Sequence, residues 1–176
     1  MDIPEQLQSF CTIFLDRLSA ILQRKLHGVY LHGGWAYPEA KAKGDVDLHV
    51  IVTAPLSIEE KSRIAALHEE IAHLFPSLVG ESPDVYYILL DDARGRTPPT
   101  HQLTEGLVDK SWALHRAHLR AGRCMILYGP DTRELFNEPS WTELEDALQY
   151  ELHYVAEHLA DYPAYCILNL CRLIYS

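Results

Sequence analysis

The sequence predicts an α/β (or α+β) domain followed by a bundle of α-helices, and three observations support this prediction. Short runs of apolar and β-branched residues in the first half of the chain alternate with polar residues, as in strands with one buried face. Segments with apolar residues at helical spacing separate these runs. From about Thr104 the whole pattern is helical. We therefore expect a first domain over residues 1–100 and a helical domain, incomplete at its C-terminus, over residues 101–176.

The composition limits the classes of partner that fit the chain. Its 176 residues suffice for one domain, or for a compact domain with a helical appendage. The 25 acidic residues outnumber the 15 Lys and Arg residues, which gives a formal net charge of −10. Such a surface repels nucleic-acid phosphates and attracts cations, so we expect no nucleic-acid partner and favour a cationic one.

We expect neither a membrane span nor an export signal in this sequence. No apolar run approaches the roughly 20 residues that cross a bilayer, and the N-terminus lacks the basic and apolar regions of a signal peptide. Four scattered cysteines without a CxxC pair suit reduced, mostly buried thiols and provide no zinc-site motif. We expect a cytoplasmic protein without membrane contact.

The first elements follow from the spacing of apolar residues. Apolar residues at helical spacing predict an amphipathic helix over roughly residues 4–25. The HGVYLHG segment predicts a short strand that ends at two glycines. The DVDLHVIV segment predicts a second strand over residues 45–52. Because side chains alternate along a strand, Asp45, Asp47 and His49 should share one face, with valines and leucine on the other.

The later elements follow from capping and breaking signals. Ser57 and Glu60 form a capping-box pattern, which starts a helix ending near Leu74. The DVYYILLDD segment, residues 84–92, predicts a third strand, and the proline-rich segment after it predicts a loop. Three more helices are expected: one marked by apolar residues from Leu107 to Leu119, one beginning at Ser140 and one after Pro163.

Three carboxylates and two glycines form the pattern that indicates chemistry. Asp45 and Asp47 should project from the second strand about 6 to 7 Å apart, close enough to share a Mg²⁺ ion, which prefers oxygen ligands and substrate phosphates. Gly33 and Gly34 end the preceding strand, where the missing Cβ lets backbone N–H groups approach a triphosphate. Asp84 begins the third strand, where it either completes the metal site or accepts a proton from an acceptor hydroxyl.

The segment GVYLHGG…GDVDLHVIV resembles the signature of the nucleotidyltransferase superfamily, a Gly-Ser turn followed by Asp-x-Asp. It is most similar to the aminoglycoside adenylyltransferases of the streptomycin/spectinomycin type, in which ten residues also separate the turn from the first aspartate. The segments SPDVYYILLDD, GRCMILYGPDTRELF and YCILNLCRLIYS extend the similarity over residues 28–176. The resemblance implies a nucleotidyltransferase fold with a short mixed sheet, followed by an α-helical bundle domain.

The resemblance also implies an activity, which is transfer of AMP from ATP to a hydroxyl of an aminoglycoside-like small molecule. ATP would be the co-substrate and Mg²⁺ the cofactor, with a cationic small molecule as acceptor. Asp45 and Asp47 would bind Mg²⁺, and Asp84 would act as the general base and as a third ligand. Further residues match positions that contact the nucleotide, and these are Gly33, Gly34, Gly44 and Arg172.

Three features differ from the family pattern. Gly34 replaces the usual serine of the turn, Asp84 replaces the usual glutamate, and the family's chain continues beyond the position of Ser176. Two alternatives to the antibiotic acceptor therefore stay open: a nucleotidyltransferase acting on a protein or another metabolite, and a catalytically impaired binding module. A monomer or homodimer is expected. Because neither GxxxxGK[ST] nor GxGxxG occurs, P-loop and Rossmann nucleotide sites are excluded.

Other polar residues have both a structural and a functional interpretation. Lys41, in the spacer after the glycines, either neutralises triphosphate charge or is simply exposed. For His49 a half-exposed structural histidine is favoured over a partner of the metal ligands. His115 and His118 have the spacing of metal ligands but no accompanying Glu or Cys motif. Acidic residues of the last helices, Glu151 among them, either line a pocket for ammonium groups or are solvated.

Overall fold

The structure is a computed structural model that describes residues 4–36 and 45–174, except for the side chain of Arg172. Within these residues the chain forms a four-stranded sheet with helices on both faces. The strands are β1 (Leu26–His32), β2 (Asp47–Val52), β3 (Asp84–Leu89) and β4 (Met125–Tyr128). The helices are α1 (Glu5–Leu22), α2 (Ile58–Leu74), α3 (Pro76–Val79), α4 (Leu90–Arg94), α5 (Trp112–Arg120), α6 (Thr132–Leu135), α7 (Trp141–His158) and α8 (Pro163–Ile174).

The sheet is mixed and has the strand order β3-β2-β1-β4. β1 is antiparallel to both β2 and β4, whereas β2 and β3 are parallel. Helix α2 lies between β2 and β3 in the chain, which is the crossover that a parallel pair needs because both strands begin at the same edge of the sheet. The short mixed sheet implied by the family resemblance is therefore present.

Helices α1 and α2 cover one face of the sheet, called here the α1 face, with apolar side chains. The buried residues of α1 recur every three or four positions, as the predicted amphipathic helix requires. Phe10 and Phe14 stack with ring centroids 5.7 Å apart, and they belong to the same cluster as Val50 of β2 and Tyr87 of β3. The predicted capping box at Ser57 is confirmed at the start of α2.

Helix α5 covers the opposite face, called here the α5 face. Tyr30 of β1 and Ile51 of β2 pack there in one cluster with Trp112 of α5 and with Phe136. Because side chains alternate along β2, Asp47 and His49, which are two residues apart, lie on this face as well. The predicted alternation of β2 is therefore present, and it directs the polar side chains of this strand toward α5.

Strand β4 lies in a region for which only helices were expected. That expectation is wrong at Met125–Tyr128, since these residues pair with β1. Gly122 and Gly129 flank the strand with φ values of +78° and +100°, a left-handed conformation that lets the chain turn on either side of it. The expected domains, residues 1–100 and 101–176, stay a proposal, and β4 belongs to the sheet although it comes from the second range.

Two other boundaries differ from the prediction. The strand expected over residues 84–92 ends at Leu89, because helix α4 begins at Leu90. The helix expected from Leu107 begins only at Trp112, and Val108 instead forms an isolated bridge with Thr100. Residues 95–111, between α4 and α5, therefore have irregular backbone apart from this bridge.

The later helices pack on α5. Arg116 of α5 is buried, donates a hydrogen bond to the carbonyl of Gly95 at 3.1 Å and forms an ion pair with Glu143 at the start of α7. Glu143 also completes the predicted capping box with Ser140. This pairing holds the start of α7 against α5, and α8 packs on α7 in turn. Within residues 4–36 and 45–174, no helix has the length and apolar character that a bilayer span requires.

Candidate active site

The ends of β1, β2 and β3 bring three polar side chains next to one another. In the sheet register, Asp47 of β2 lies opposite His32 of β1 and beside Asp84 of β3. Residues in register on neighbouring strands lie about 5 Å apart and point to the same face. Asp47 and Asp84 therefore share the α5 face, at the edge where β2 and β3 begin. The sequence pattern predicted this juxtaposition.

Asp45 lies in an exposed bend just before β2, and not within the strand as expected. The next residue, Val46, is fully buried, and its N–H donates to the carbonyl of Leu78 at 3.1 Å, which fixes the backbone at this point. Asp45 precedes Asp47 by two residues, and its negative charge adds to the effect of burial, which raises the pKa of Asp84. The three predicted carboxylates thus lie in one neighbourhood.

The glycine turn after β1 lies against Asp47. Gly33 begins a short 3-10 turn, Gly33–Ala36, with a left-handed φ of +66°. A Cβ atom at Gly33 would overlap the carboxylate of Asp47. Gly33 is therefore required both for the backbone conformation and for the space beside the carboxylate. Gly34 follows in the same turn and is half-buried.

Asp84 is exposed at the first position of β3, yet its surroundings change its proton affinity. Partial burial raises the pKa of Asp84 above its ordinary value, and the negative charges of Asp45 and Asp109 add to this effect. The charges of His115 and His101 oppose it. A carboxylate with a raised pKa is a stronger base than an ordinary aspartate, which suits a group that takes a proton from a hydroxyl.

Three of the predicted nucleotide contacts cannot be located. Lys41 and Gly44 lie outside the described residues, and so does the rest of the spacer from residue 37. Arg172 belongs to α8, but its side chain is not described. The roles of these three residues stay predictions from the family resemblance.

A cluster of histidines surrounds Asp109 behind the carboxylates. His49 of β2 is fully buried, so the expectation of a half-exposed histidine is wrong. Its ring stacks on His32 with centroids 4.1 Å apart, and the ring of His115 lies 5.2 Å away. Asp109 Oδ2 lies 2.8 Å from His115 Nδ1 and 3.9 Å from His49 Nε2. The loop before α5 thus places one carboxylate between two imidazoles.

The charges within this cluster follow from burial and pairing. Burial lowers the pKa of His49 to about 4, although Asp109 opposes the change. Burial would also lower the pKa of His115, but the charge and hydrogen bond of Asp109 raise it, together with the charges of Glu151 and Asp47. Burial would raise the pKa of Asp109, yet His115 and His49 hold it well below its ordinary value. Pairing with Asp109 therefore favours the protonated form of His115, whereas burial favours the neutral form of His49.

The sequence indicated two members of this cluster separately and missed the third. His49 was signalled by its alternation with Asp47, and His115 by its position on a predicted helix. Asp109 lies in a loop and far along the chain from β2, so no periodic pattern connects it with either histidine. The three side chains meet because α5 and its preceding loop pack on the sheet.

Glu151 of α7 borders the same region. It forms hydrogen bonds with Ser111 and with Asn169 of α8, the latter at 2.6 Å, and it is half-buried rather than fully solvated. Its charge also contributes to the raised pKa of His115. Glu157, by contrast, pairs with His153 on the exposed surface of α7 at 3.2 Å. Of these two acids, Glu151 is the one whose charge acts on the cluster.

Comparison with known proteins supports the fold. No protein-family model matches the sequence, and no curated protein matches it. Among solved structures, the chain is similar to spectinomycin adenyltransferase AAD(9) from Enterococcus faecialis with ATP and spectinomycin. The TM-score is 0.71 and the identity 18%, over 99% of this chain and 75% of that chain.

Two toxin–antitoxin structures match less well. A tri-AMPylated Shewanella oneidensis HEPN toxin in complex with MNT antitoxin has a TM-score of 0.39 and 15% identity, over 87% of this chain and 92% of that chain. A toxin-antitoxin with AMP-PNP has a TM-score of 0.38 and 15% identity, over 84% and 92% of the two chains. The similarity to the adenyltransferase covers nearly the whole chain and confirms the resemblance at the level of the fold. The chain has the nucleotidyltransferase fold.

Proposed function

We propose that the chain transfers AMP from ATP to a hydroxyl group of a cationic, aminoglycoside-like small molecule. The observation that carries the proposal is the strand register that sets Asp47 beside Asp84, next to the Gly33 turn. The fold supports the same class of reaction. The similar spectinomycin adenyltransferase structure contains ATP and spectinomycin, which supports a nucleotide as co-substrate and a cationic small molecule as acceptor.

Asp45, Asp47 and Asp84 are the proposed ligands of Mg²⁺. The donor set suits this ion, because Mg²⁺ prefers carboxylate oxygens and keeps positions for substrate phosphates. The space at Gly33, which a Cβ would fill, leaves the Asp47 carboxylate accessible from the side of the turn. When bound, the ion would neutralise phosphate charge and stabilise the leaving pyrophosphate.

The glycine turn and three other residues are the proposed nucleotide contacts. Backbone N–H groups at Gly33 and Gly34 would donate hydrogen bonds to the triphosphate, as in other anion sites built from turns. The left-handed φ of Gly33 supports this, since such turns expose consecutive N–H groups. The family resemblance adds Lys41, Gly44 and Arg172 to the proposal.

Asp84 is the proposed general base. It would take the proton of the acceptor hydroxyl while the hydroxyl oxygen attacks the α-phosphorus of ATP and pyrophosphate leaves. The exposure of Asp84 allows an acceptor to reach it. The net charge of −10 favours a cationic acceptor at these carboxylates.

Acceptor-dependent release of pyrophosphate from ATP and Mg²⁺ tests the proposal. We expect release with spectinomycin or streptomycin, and a rate about 10² to 10⁴ times lower for Asp84→Asn, the usual range for loss of a general base. Asp91→Asn is the matched control, because Asp91 is an exposed carboxylate in α4, at the other end of β3, and should leave the rate unchanged.

The outcome with other acceptors separates the alternatives. Release of pyrophosphate only with a protein or another metabolite would replace the acceptor and keep the transferase. If no acceptor supports release and ATP with Mg²⁺ does not raise the melting temperature of the chain, the transferase proposal is wrong and a binding module remains.

A further inference from the structure

We propose that His49, Asp109 and His115 form a binding site for a transition-metal ion of the Zn²⁺ class, separate from the proposed Mg²⁺ site. One nitrogen of each histidine and one carboxylate oxygen of Asp109 all lie within 4.8 Å of one another. Imidazole and carboxylate ligands suit Zn²⁺, Co²⁺ and Ni²⁺, whereas Mg²⁺ prefers oxygen ligands alone. Three protein ligands leave a fourth position for water or another small ligand.

The two distances from Asp109 to the histidines lie close to the separation that such an ion imposes on its ligands. A tetrahedral ion with bonds of about 2.0 to 2.1 Å holds its ligand atoms roughly 3.3 Å apart. Asp109 Oδ2 lies 2.8 Å from His115 Nδ1 and 3.9 Å from His49 Nε2, one distance shorter and the other longer than this value. Movements of about half an ångström would bring both distances to the metal-bound separation.

His49 provides an independent observation that points to a ligand. Its side chain is fully buried, and neither ring nitrogen has a hydrogen-bond partner among the described residues. A buried polar group without a partner costs free energy, so its presence in a native interior needs a reason. An ion bound at Nε2 would supply the partner that the nitrogen lacks.

The surroundings of the three residues orient them for a common ligand. The N–H of Ser111 donates to Asp109 Oδ1 at 3.0 Å, which leaves Oδ2 to face the histidines. Such hydrogen bonds to ligating carboxylates are typical of metal sites. The stacked ring of His32 restrains the ring of His49.

The proposed metal site connects helix α5 with the sheet. Its ligands come from β2, from the loop before α5 and from α5 itself. A bound ion would therefore fasten α5 to the sheet. Because His49 follows Asp47 by two residues on the same strand face, the ion would lie near the carboxylates at the strand ends, with ligands of its own.

Titration of the metal-free chain with Co²⁺ tests the inference, because the visible d–d absorption of Co²⁺ reports coordination by protein ligands. We expect one equivalent to bind, Zn²⁺ to displace it and a large excess of Mg²⁺ to leave it bound. At a concentration 100 times its Kd, Zn²⁺ should raise the melting temperature by about 5 to 10 °C.

Substitutions separate this site from surface binding and from the Mg²⁺ site. His49→Leu should weaken Co²⁺ binding by more than about 100-fold, a larger loss than outer hydrogen bonds produce. It should fold, because the imidazole forms no hydrogen bond that leucine would remove. His153→Ala, which removes an exposed histidine of α7, and Asp47→Asn should both retain binding.

Three results would overturn the inference: no Co²⁺ binding, equal binding in His49→Leu, or loss of binding in Asp47→Asn. If His49→Leu does not fold by circular dichroism, His115→Gln replaces it with the same expected loss. Neither ATP nor an acceptor is present in these measurements, so their outcome is independent of the proposed transferase activity.

Discussion

The two faces of the sheet bury different kinds of side chain. The α1 face contains an almost wholly apolar cluster, in which Phe10 and Phe14 pack with Val50 of β2. On the α5 face, His49, one residue before Val50 on the same strand, is buried close to Asp109. Burial of apolar side chains stabilises the fold, whereas burial of polar groups costs free energy. The difference indicates that the α1 face holds the sheet together, whereas the α5 face contains the polar groups of the proposed sites.

Two histidines show how the faces differ electrostatically. His68 packs on the α1 face, where its Nε2 lies 2.9 Å from the hydroxyl of Tyr87, and burial lowers its pKa to about 4. His115 lies on the α5 face, where burial has the same tendency but the charge of Asp109 reverses it and raises the pKa. Burial and the charge of the neighbour together set the pKa of these histidines: Asp109 outweighs burial at His115, whereas burial outweighs Asp109 at His49.

The largest expected difference between the faces is in stability. Phe14→Ala should lower the free energy of unfolding by about 3 to 5 kcal/mol, because it opens a cavity in the apolar cluster. His49→Leu should change it by less than about 1.5 kcal/mol, since a residue of similar volume replaces an imidazole without hydrogen bonds. Urea unfolding of both variants measures the difference, and equal losses would contradict the assignment of roles to the faces.

A smaller effect is expected from the titration of His68. Its pKa of about 4 in the folded state lies below the ordinary value of 6.5, so the unfolded chain takes up a proton first as the pH falls. The contribution of His68 to stability is therefore present above about pH 6.5 and is lost progressively between pH 6.5 and pH 4. The loss should reach roughly 2 to 3 kcal/mol, after a discount for partial exposure of the ring.

Unfolding measured at several pH values tests this expectation. His68→Gln removes the titrating group and should reduce the pH dependence in this window by that amount. An unchanged slope between pH 6.5 and pH 4 in the variant would show that His68 does not titrate as its surroundings imply.

The smallest expected effect concerns the glycine turn beside the α5 face. Gly33 and Gly80 both have left-handed φ values, +66° and +59°, so replacement by alanine should cost about 1 to 2 kcal/mol of stability at either position. A Cβ at Gly33 would also overlap the carboxylate of Asp47, whereas a Cβ at Gly80 meets no atom within 4 Å. Gly33→Ala should therefore weaken the binding of ATP with Mg²⁺, and Gly80→Ala should not. Calorimetric titration distinguishes them, and equal affinities would argue against a nucleotide site at the turn.

Much of the fold could be predicted because its signals are local. Apolar residues spaced three and four apart indicated α1, and the capping boxes at Ser57 and Ser140 marked the starts of α2 and α7. Strand β4 could not be predicted in the same way, because Met125–Tyr128 contains four residues within a region of helical spacing. It becomes a strand by pairing with β1, and pairing with a distant strand leaves no periodic signal in so short a segment.

The candidate site also has one part that the sequence predicts and one part that only the packing of the chain creates. The neighbourhood of Asp47, Asp84 and Gly33 could be anticipated from the chain, since each residue stands at the end of a strand with a recognisable pattern. The approach of Asp109 to His49, and the complete burial of that histidine, arise from the packing of α5 on the sheet. The spacing of apolar residues indicates which side of a helix or strand is buried, because the buried positions of each element are occupied by apolar residues. Which distant segment covers that side depends on the free energy of the whole folded chain.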